Sequence, residues 1–150
     1  VDASKGMIVK AKQNVQESGL SDKYIRFIAE DCQRFVEREI RRGRKYDGII
    51  MDPPAYGRGP SGELWKLEDA LYDFTASCEQ LLSDDPLFFI ISSYTVGITA
   101  QASGDVLKLA LGDKHGGYVK AEELCLPIRK LGVHLPCGST ARWSSGRYDS

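Results

Sequence analysis

The sequence predicts an α/β fold: a mostly parallel sheet with helices on both faces, ending in an antiparallel hairpin. Three observations lead there. Segments with helical spacing alternate with short β-rich segments along nearly the whole chain. One β-rich segment, "LFFIISS", is apolar almost without interruption, and the last two follow one another with only a turn between them. Alternation implies parallel strands joined by crossover helices, and a continuous apolar run suits a strand covered on both faces.

The elements follow in order. Met7, Ile8, Ala11 and Val15 recur at helical spacing over residues 4–17, with Ser4 as the N-cap and Gly19 as the stop. "YIRFIAED" is short, β-rich and ends on acids, which predicts a strand over 24–29. Cys32, Phe35, Val36 and Ile40, followed by Gly43, predict a helix over 31–42. "YDGIIMD" is the next strand, ended by two prolines that lack the N–H a ladder needs. Leu64, Leu67, Leu71, Phe74, Cys78 and Leu81 form an apolar stripe that predicts a helix over 64–81, closed by "SDDP". After the "LFFIISS" strand, a helix is expected over 98–111, ending before "GDKHGG". "GYVKAEELCLPI" and "GVHLPCGSTARWSS" then read as two strands joined by a turn. No internal repeat, low-complexity segment or linker interrupts this order, so residues 1–150 are read as one domain.

Composition narrows the function classes. With 150 residues and a net charge of −1, the chain is long enough for a core and carries no block of like charge that would coat nucleic acid or a membrane. The apolar run "PLFFII" is too short to span a bilayer, and the first residues lack the basic and apolar regions of a signal peptide. Cys32, Cys78, Cys125 and Cys137 are widely spaced and form no C-x-x-C pair, which fits reduced thiols better than a disulfide framework or a zinc site. A soluble cytoplasmic chain is the expectation. The opening "VDASKGMIVKAK" has no Met and reads as the end of a strand entering a helix, so the chain is expected to be a fragment.

In sheets of this kind a ligand lies beyond the carboxyl ends of the strands, where Asp2, Asp31 and Asp52 fall. A carboxylate after a strand can accept two hydrogen bonds from ribose hydroxyls, and one after the next strand can accept from an adenine amino group while the Cys32 N–H meets a ring nitrogen. Acids at these positions also cap the helices that follow, and both roles stay open for Asp2 and Asp31. In "DPPAYGRGP" the prolines restrict the backbone, so that carbonyls there and the Asp52 carboxylate could accept from a substrate N–H group. Such acceptors orient an exocyclic amine for attack on an electrophilic methyl group. Tyr56 could stack on a base. Gly57 and Gly59 let the chain pass close to a ligand, and Arg58 could meet a phosphate.

The segments "VDASKGMIVKAKQN", "IAEDC", "YDGIIMDPPAYGRGPSGELWKLE" and "LPCGSTARW", in that order and spacing, resemble the class I S-adenosylmethionine-dependent methyltransferases, and within them the bacterial branch related to large-subunit ribosomal RNA methyltransferases. The resemblance implies a Rossmann-like sheet whose first strand and glycine-rich loop would precede Val1. It implies S-adenosylmethionine as cofactor, held by Asp2 with Ala3, Asp31 with Cys32, and Asp52. Asp52, Pro53 and Pro54, with Tyr56 beside them, would form the transfer site, and RNA would be the substrate. Amino methyltransferases usually have an aromatic directly after the second proline, where this chain has Ala55 and then Tyr56. Relatives that methylate cytosine carbon 5 use a cysteine near the end of strand five, where this chain reads "IISSYTVG"; Ser92 and Ser93 are poor substitutes for a thiolate. A nucleotide-dependent oxidoreductase and a non-catalytic scaffold binding RNA or a protein are the rival readings.

The remaining candidates have plainer readings. Arg38, Arg41, Arg42, Arg44 and Lys45 could touch RNA phosphates or complement a helix dipole. His115 and His134 fall in loop and hairpin regions with no companion ligand, and no metal site is expected. Trp65 and Trp143 read as packing residues, with Trp65 near enough to the glycine-bearing loop to flank a substrate. Absence of the first strand would leave "YDGIIM" with an open edge and "YIRFIA" detached, which predicts self-association through sheet edges.

Overall fold

The computed structural model describes residues 1–58 and 64–146. They fall into two compact units, Val1–Arg42 and Gly43–Ser150.

In the first unit, Ser4 caps the helix α1 (Lys5–Glu17) by accepting from the Met7 N–H, and Gly19 at φ 68° ends the turn that follows. Ile8, Ala11 and Val15 are half-buried, whereas Met7 is exposed. Residues 24–29, expected as a strand, form none. The Asp2 N–H donates to the Ile28 carbonyl and the Glu30 N–H to the Asp2 carbonyl, which makes one isolated parallel bridge between Asp2 and Ala29. A strand is defined by its ladder, and one bridge is not a ladder, so the β-rich composition of "YIRFIA" finds no use and Tyr24 is left 90% exposed. Helix α2 (Cys32–Arg41) is capped by Asp31 and buries Val36 and Glu39. Arg38 pairs with Glu30 and Glu39, and Arg42 pairs with Glu39. Two cations of the basic cluster thus have local carboxylate partners.

In the second unit, β1 (Gly48–Met51) pairs in parallel with β4 (Phe88–Ser93). Two three-residue strands, β2 (Tyr56–Arg58) and β3 (Leu64–Lys66), form an antiparallel pair and lead into α3 (Leu67–Glu79). Helix α4 (Ala100–His115) is followed by the hairpin β5 (Tyr118–Ile128) and β6 (Val133–Ser144). The sheet order is β1-β4-β6-β5, with β6 antiparallel to both neighbours. The sheet is therefore mixed, and its parallel ladder among the described residues is β1–β4. β1 lies at the sheet edge, as expected for "YDGIIM".

Two boundaries differ from expectation by three residues or more. Leu64 to Lys66 are extended, so α3 starts at Leu67. Leu64 fits the helical stripe, but three residues are too few to separate the two periods. α4 runs through Gly112 to His115 and stops where Gly116 adopts φ 59°. Within this unit α4 packs on β5 and β6, and α3 packs on α4, burying the sheet face that carries Phe89, Ile91, Ala141 and Trp143. Gly104 permits that contact, since a Cβ there would meet the Ala121 Cβ at 2.9 Å. On the opposite face Ile50 is 69% exposed. Among the described residues, no helix is long and apolar enough to cross a membrane.

His115 is not in a loop without a companion. Its Nε2 lies 2.8 Å from Glu79 Oε1, while Lys114 Nζ donates to Oε2 at 2.7 Å. Its ring meets Trp143 edge-on at 5.7 Å, and Trp143 Nε1–H donates to the Gly116 carbonyl, so Trp143 is a core residue. Burial alone would push the Glu79 carboxyl up. The hydrogen bonds and positive charge of Lys114 and His115 outweigh it and hold the carboxyl below the usual range. A carboxyl lowered on folding adds stability above its unfolded value and loses it as pH falls through the folded one. Thermal melts across pH should show this loss on the acid side. Glu79→Gln should cost about 1–3 kcal/mol at neutral pH and flatten the acid limb; an unchanged limb would mean that other groups govern it.

Candidate functional site

Asp2 and Asp31 act first on the backbone. Asp2 Oδ1 accepts from the Ser4 N–H at 2.7 Å, and Asp31 Oδ1 accepts from the Arg34 N–H at 3.0 Å. The helix-capping role is therefore real for Asp31, and Asp2 orders the turn that leads to the cap of α1. Each spends one oxygen this way, and neither second oxygen has a hydrogen-bond partner among the described residues. Cys32 opens α2, where helix geometry leaves its N–H without an intrahelical acceptor. Its thiol lies 3.8 Å from the Val1 carbonyl. Burial pushes that thiol up, and the Asp31 and Asp2 carboxylates add to the shift. The first unit thus brings Asp2, Asp31 and Cys32 together, with Ala3 in an exposed bend beside them.

In the second unit the ladder between β1 and β4 ends at Met51 and Ile91, so Asp52 stands at the carboxyl end of β1. Met51 is buried and Asp52 exposed. The Asp52 carboxylate has no hydrogen-bond partner among the described residues. The carbonyls that follow are less free than the sequence implies. Trp65 Nε1–H donates to the Pro54 carbonyl at 2.9 Å, and the Leu67 N–H donates to the Ala55 carbonyl at 3.0 Å. Trp65 itself is held edge-on by Phe74, with ring centroids 5.8 Å apart. The Asp-Pro-Pro segment is therefore pinned from β3 and from the start of α3.

Tyr56 is 64% exposed in β2, opposite Lys66. Gly57 lies under Trp65, where a Cβ would meet the indole at ordinary contact distance, and Gly59 lies outside the described residues. Ser93 is fully buried, and its Oγ accepts from the Thr95 N–H, a structural role. Lys45 donates to the Gln80 carbonyl. Among the described residues no three His, Cys, Asp or Glu side chains are grouped as a metal site.

Sequence reasoning missed the anchoring role of Trp65, for which the sequence carries no local signal. It also missed Glu68, whose carboxylate packs so closely on Gly97 that a Cβ there would overlap it.

No family model matches the chain. It is 34% identical over 56 residues to ribosomal RNA large subunit methyltransferase I of Klebsiella pneumoniae and 38% identical over 56 residues to that of Erwinia tasmaniensis. Each match covers 37% of this chain and 14% of the relative, so the chain spans a small part of the length of these proteins. Along its length it is similar to the crystal structure of the SAM-dependent methyltransferase from Agrobacterium tumefaciens, with a TM-score of 0.85 and 32% identity. That similarity covers 95% of this chain and 47% of the other. SMU.776, crystallised in complex with SAH, matches over 93% of this chain and 37% of its own, with a TM-score of 0.64 at 16% identity, a likeness of fold. The sheet and these similarities together give the chain the fold of the class I S-adenosylmethionine-dependent methyltransferases.

Proposed function

We propose that this chain is the carboxyl-terminal part of a catalytic domain that transfers a methyl group from S-adenosylmethionine to a base of RNA, in bacterial ribosomal RNA and in the cytoplasm. The observation that carries this reading is the Asp52 carboxylate, exposed and without a partner among the described residues, on a segment pinned through the Pro54 and Ala55 carbonyls. A free acceptor on a fixed backbone is what orientation of an amine requires. The large-subunit ribosomal RNA relatives support RNA as substrate, and four cysteines that form no disulfide among the described residues suit a reducing compartment.

The residues present fit the cofactor. The second oxygen of Asp2 accepts from a ribose hydroxyl, with Ala3 exposed beside it. The second oxygen of Asp31 accepts from the adenine amino group, and the Cys32 N–H donates to a ring nitrogen. S-adenosylmethionine, when bound, supplies a methyl carbon on a positively charged sulfur that leaves with the bonding electron pair. At the acceptor, Asp52 and the Pro53 carbonyl take hydrogen bonds from the N–H group and aim its lone pair, while Tyr56 stacks on the base. With serines at positions 92 and 93 at the end of β4, and Ser93 buried, these residues favour a nitrogen over cytosine carbon 5 as acceptor.

Titration with S-adenosylhomocysteine should give heat with the wild-type chain and much less with Asp2→Ala. At a hundred times its dissociation constant the ligand should raise stability by about 2.7 kcal/mol, visible in a melt. Absence of binding by both would favour a scaffold.

Trp65→Phe keeps the ring against Phe74 and deletes the hydrogen bond to Pro54. It should cost about 0.5–1.5 kcal/mol and speed hydrogen exchange at the Ala55 and Tyr56 amides. Unchanged exchange would show that Leu67 alone fixes the segment.

A further inference from the structure

The β5–β6 hairpin outruns the sheet. β4 pairs with β6 only from Ser139 to Ser144, whereas β5 and β6 stay paired out to Ile128 opposite Val133. The two strands therefore continue as a ribbon past the carboxyl end of β4, and they do so poorly bonded. The register slips just beyond β4, where Leu124 faces Gly138 but Cys125 faces Pro136, so Cys137 is the extra residue of a β-bulge. Pro136 and Pro127 then bring no amide hydrogen to the ladder. A two-stranded ribbon is marginal alone in water, and this one is weakest at its root.

Two cysteines sit at that root. Cys137 is exposed and Cys125 half-buried, and both are free thiols. The Cys137 thiol donates to the Leu124 carbonyl at 3.3 Å. That oxygen belongs to the peptide that carries the Cys125 nitrogen, about 2.8 Å from the Cys125 Cα by standard peptide dimensions. The Cys137 sulfur therefore stands within about 6 Å of that Cα. Facing Cα atoms of an antiparallel pair lie about 4.5–5.5 Å apart, so a residue one step from the facing position stays within the ~4.4–6.8 Å that a disulfide joins. The two thiols also act on each other. Cys125 is pushed up by burial first, then by the Glu123 carboxylate, whose Oε2 it meets at 3.8 Å, and by Cys137 itself.

We propose that Cys125 and Cys137 form a redox pair: oxidation joins them in a disulfide that staples the ribbon at its root, and reduction releases it. In a reducing compartment such a bond is transient and serves sensing. Cys137 is exposed and reacts first, because Cys125 is the poorer source of thiolate. With a peroxide as oxidant, the Cys137 sulfur attacks one oxygen, the O–O bond breaks, and the departing oxygen takes the thiol proton. With hydrogen peroxide that fragment is water, and Cys137 is left as a sulfenic acid. The Cys125 sulfur then attacks the Cys137 sulfur, the S–O bond breaks, and hydroxide leaves with the Cys125 proton as a second water. Two thiols have given two electrons to one peroxide.

Peptide mapping by mass spectrometry tests this on the intact chain. Trypsin cuts after Lys120, Lys130 and Arg142, so the two thiols part into separate peptides unless a disulfide holds them. An equimolar amount of hydrogen peroxide should give a wild-type chain in which those peptides are linked, and dithiothreitol should separate them. In the linked chain, hydrogen exchange over residues 126–135 should slow by about tenfold or more, the effect of closing the loop between Cys125 and Cys137. A wild-type Cys137 that passes to the sulfinic acid without linking overturns the proposal, as does a disulfide formed instead with Cys32 or between two chains. A linked chain whose ribbon exchanges as fast as the reduced one overturns the stapling.

Discussion

Pro53 and Pro54 bring no amide hydrogen to the chain just past β1, and the course of the backbone there follows from that. A further step of the β1–β4 ladder would need donors that these residues lack. Asp52 and Pro53 each precede a proline, so both are confined to extended conformations. The chain leaves the sheet straight and stiff at an acid, and its released carbonyls need new donors. Trp65 and Leu67 provide two of them. The short β2–β3 pair and the start of α3 are thus tied to the requirement that began at Pro53. Rigidity at Asp52 comes from missing donors and borrowed ones, without regular secondary structure at the residue itself.

The second unit divides its tasks along the strand axis. At the amino ends, Glu79 gathers Lys114 and His115, the His115 ring packs on Trp143, and the bridge between Tyr46 and Leu82 lines up the entry to β1. At the carboxyl ends lie Asp52, exposed Tyr94 and the stretch of the β5–β6 pair that continues beyond β4. Between them the covered face holds Phe89, Ile91, Ala141 and Trp143 at 0–1% exposure. Groups that fix the fold and groups left open to partners are kept a strand's length apart, so a change at one end need not disturb the other.

What the sequence made legible follows from how local each signal is. α1, α2, α4, β1 and β4 were readable because their apolar periods and caps lie within one segment. The strand expected over 24–29 failed because a strand is made by its neighbour, and Asp2 alone bridges it. The β2–β3 pair was hidden because Leu64 fits the stripe of α3 as well as it fits a strand. His115 looked solitary because its partner, Glu79, is 36 residues away in sequence. Among the candidate acids, Asp52 was legible from its place at the end of a strand, whereas Asp31 follows a segment that forms no strand. The anchoring of Pro54 by Trp65 was not legible, since no local rule links an indole to a carbonyl eleven residues earlier.

Capping and ligand binding looked like rival roles for Asp2 and Asp31, and the geometry shows why they need not compete. A carboxylate has two oxygens. Each acid commits Oδ1 to a backbone N–H two or three residues ahead, at 2.7 and 3.0 Å. That bond removes most of the rotational freedom of the side chain and so fixes the direction of Oδ2. At Asp31 it also places the carboxylate at a helix start, where unpaired N–H groups such as that of Cys32 remain to serve as donors. A side chain left free would have to be ordered when a ligand arrives, at a cost of roughly 0.5–1.5 kcal/mol. One that is already a cap has met that cost in folding. In the proposed reading, the start of α2 suits a nucleoside because the hydrogen bond that caps the helix also aims the acceptor.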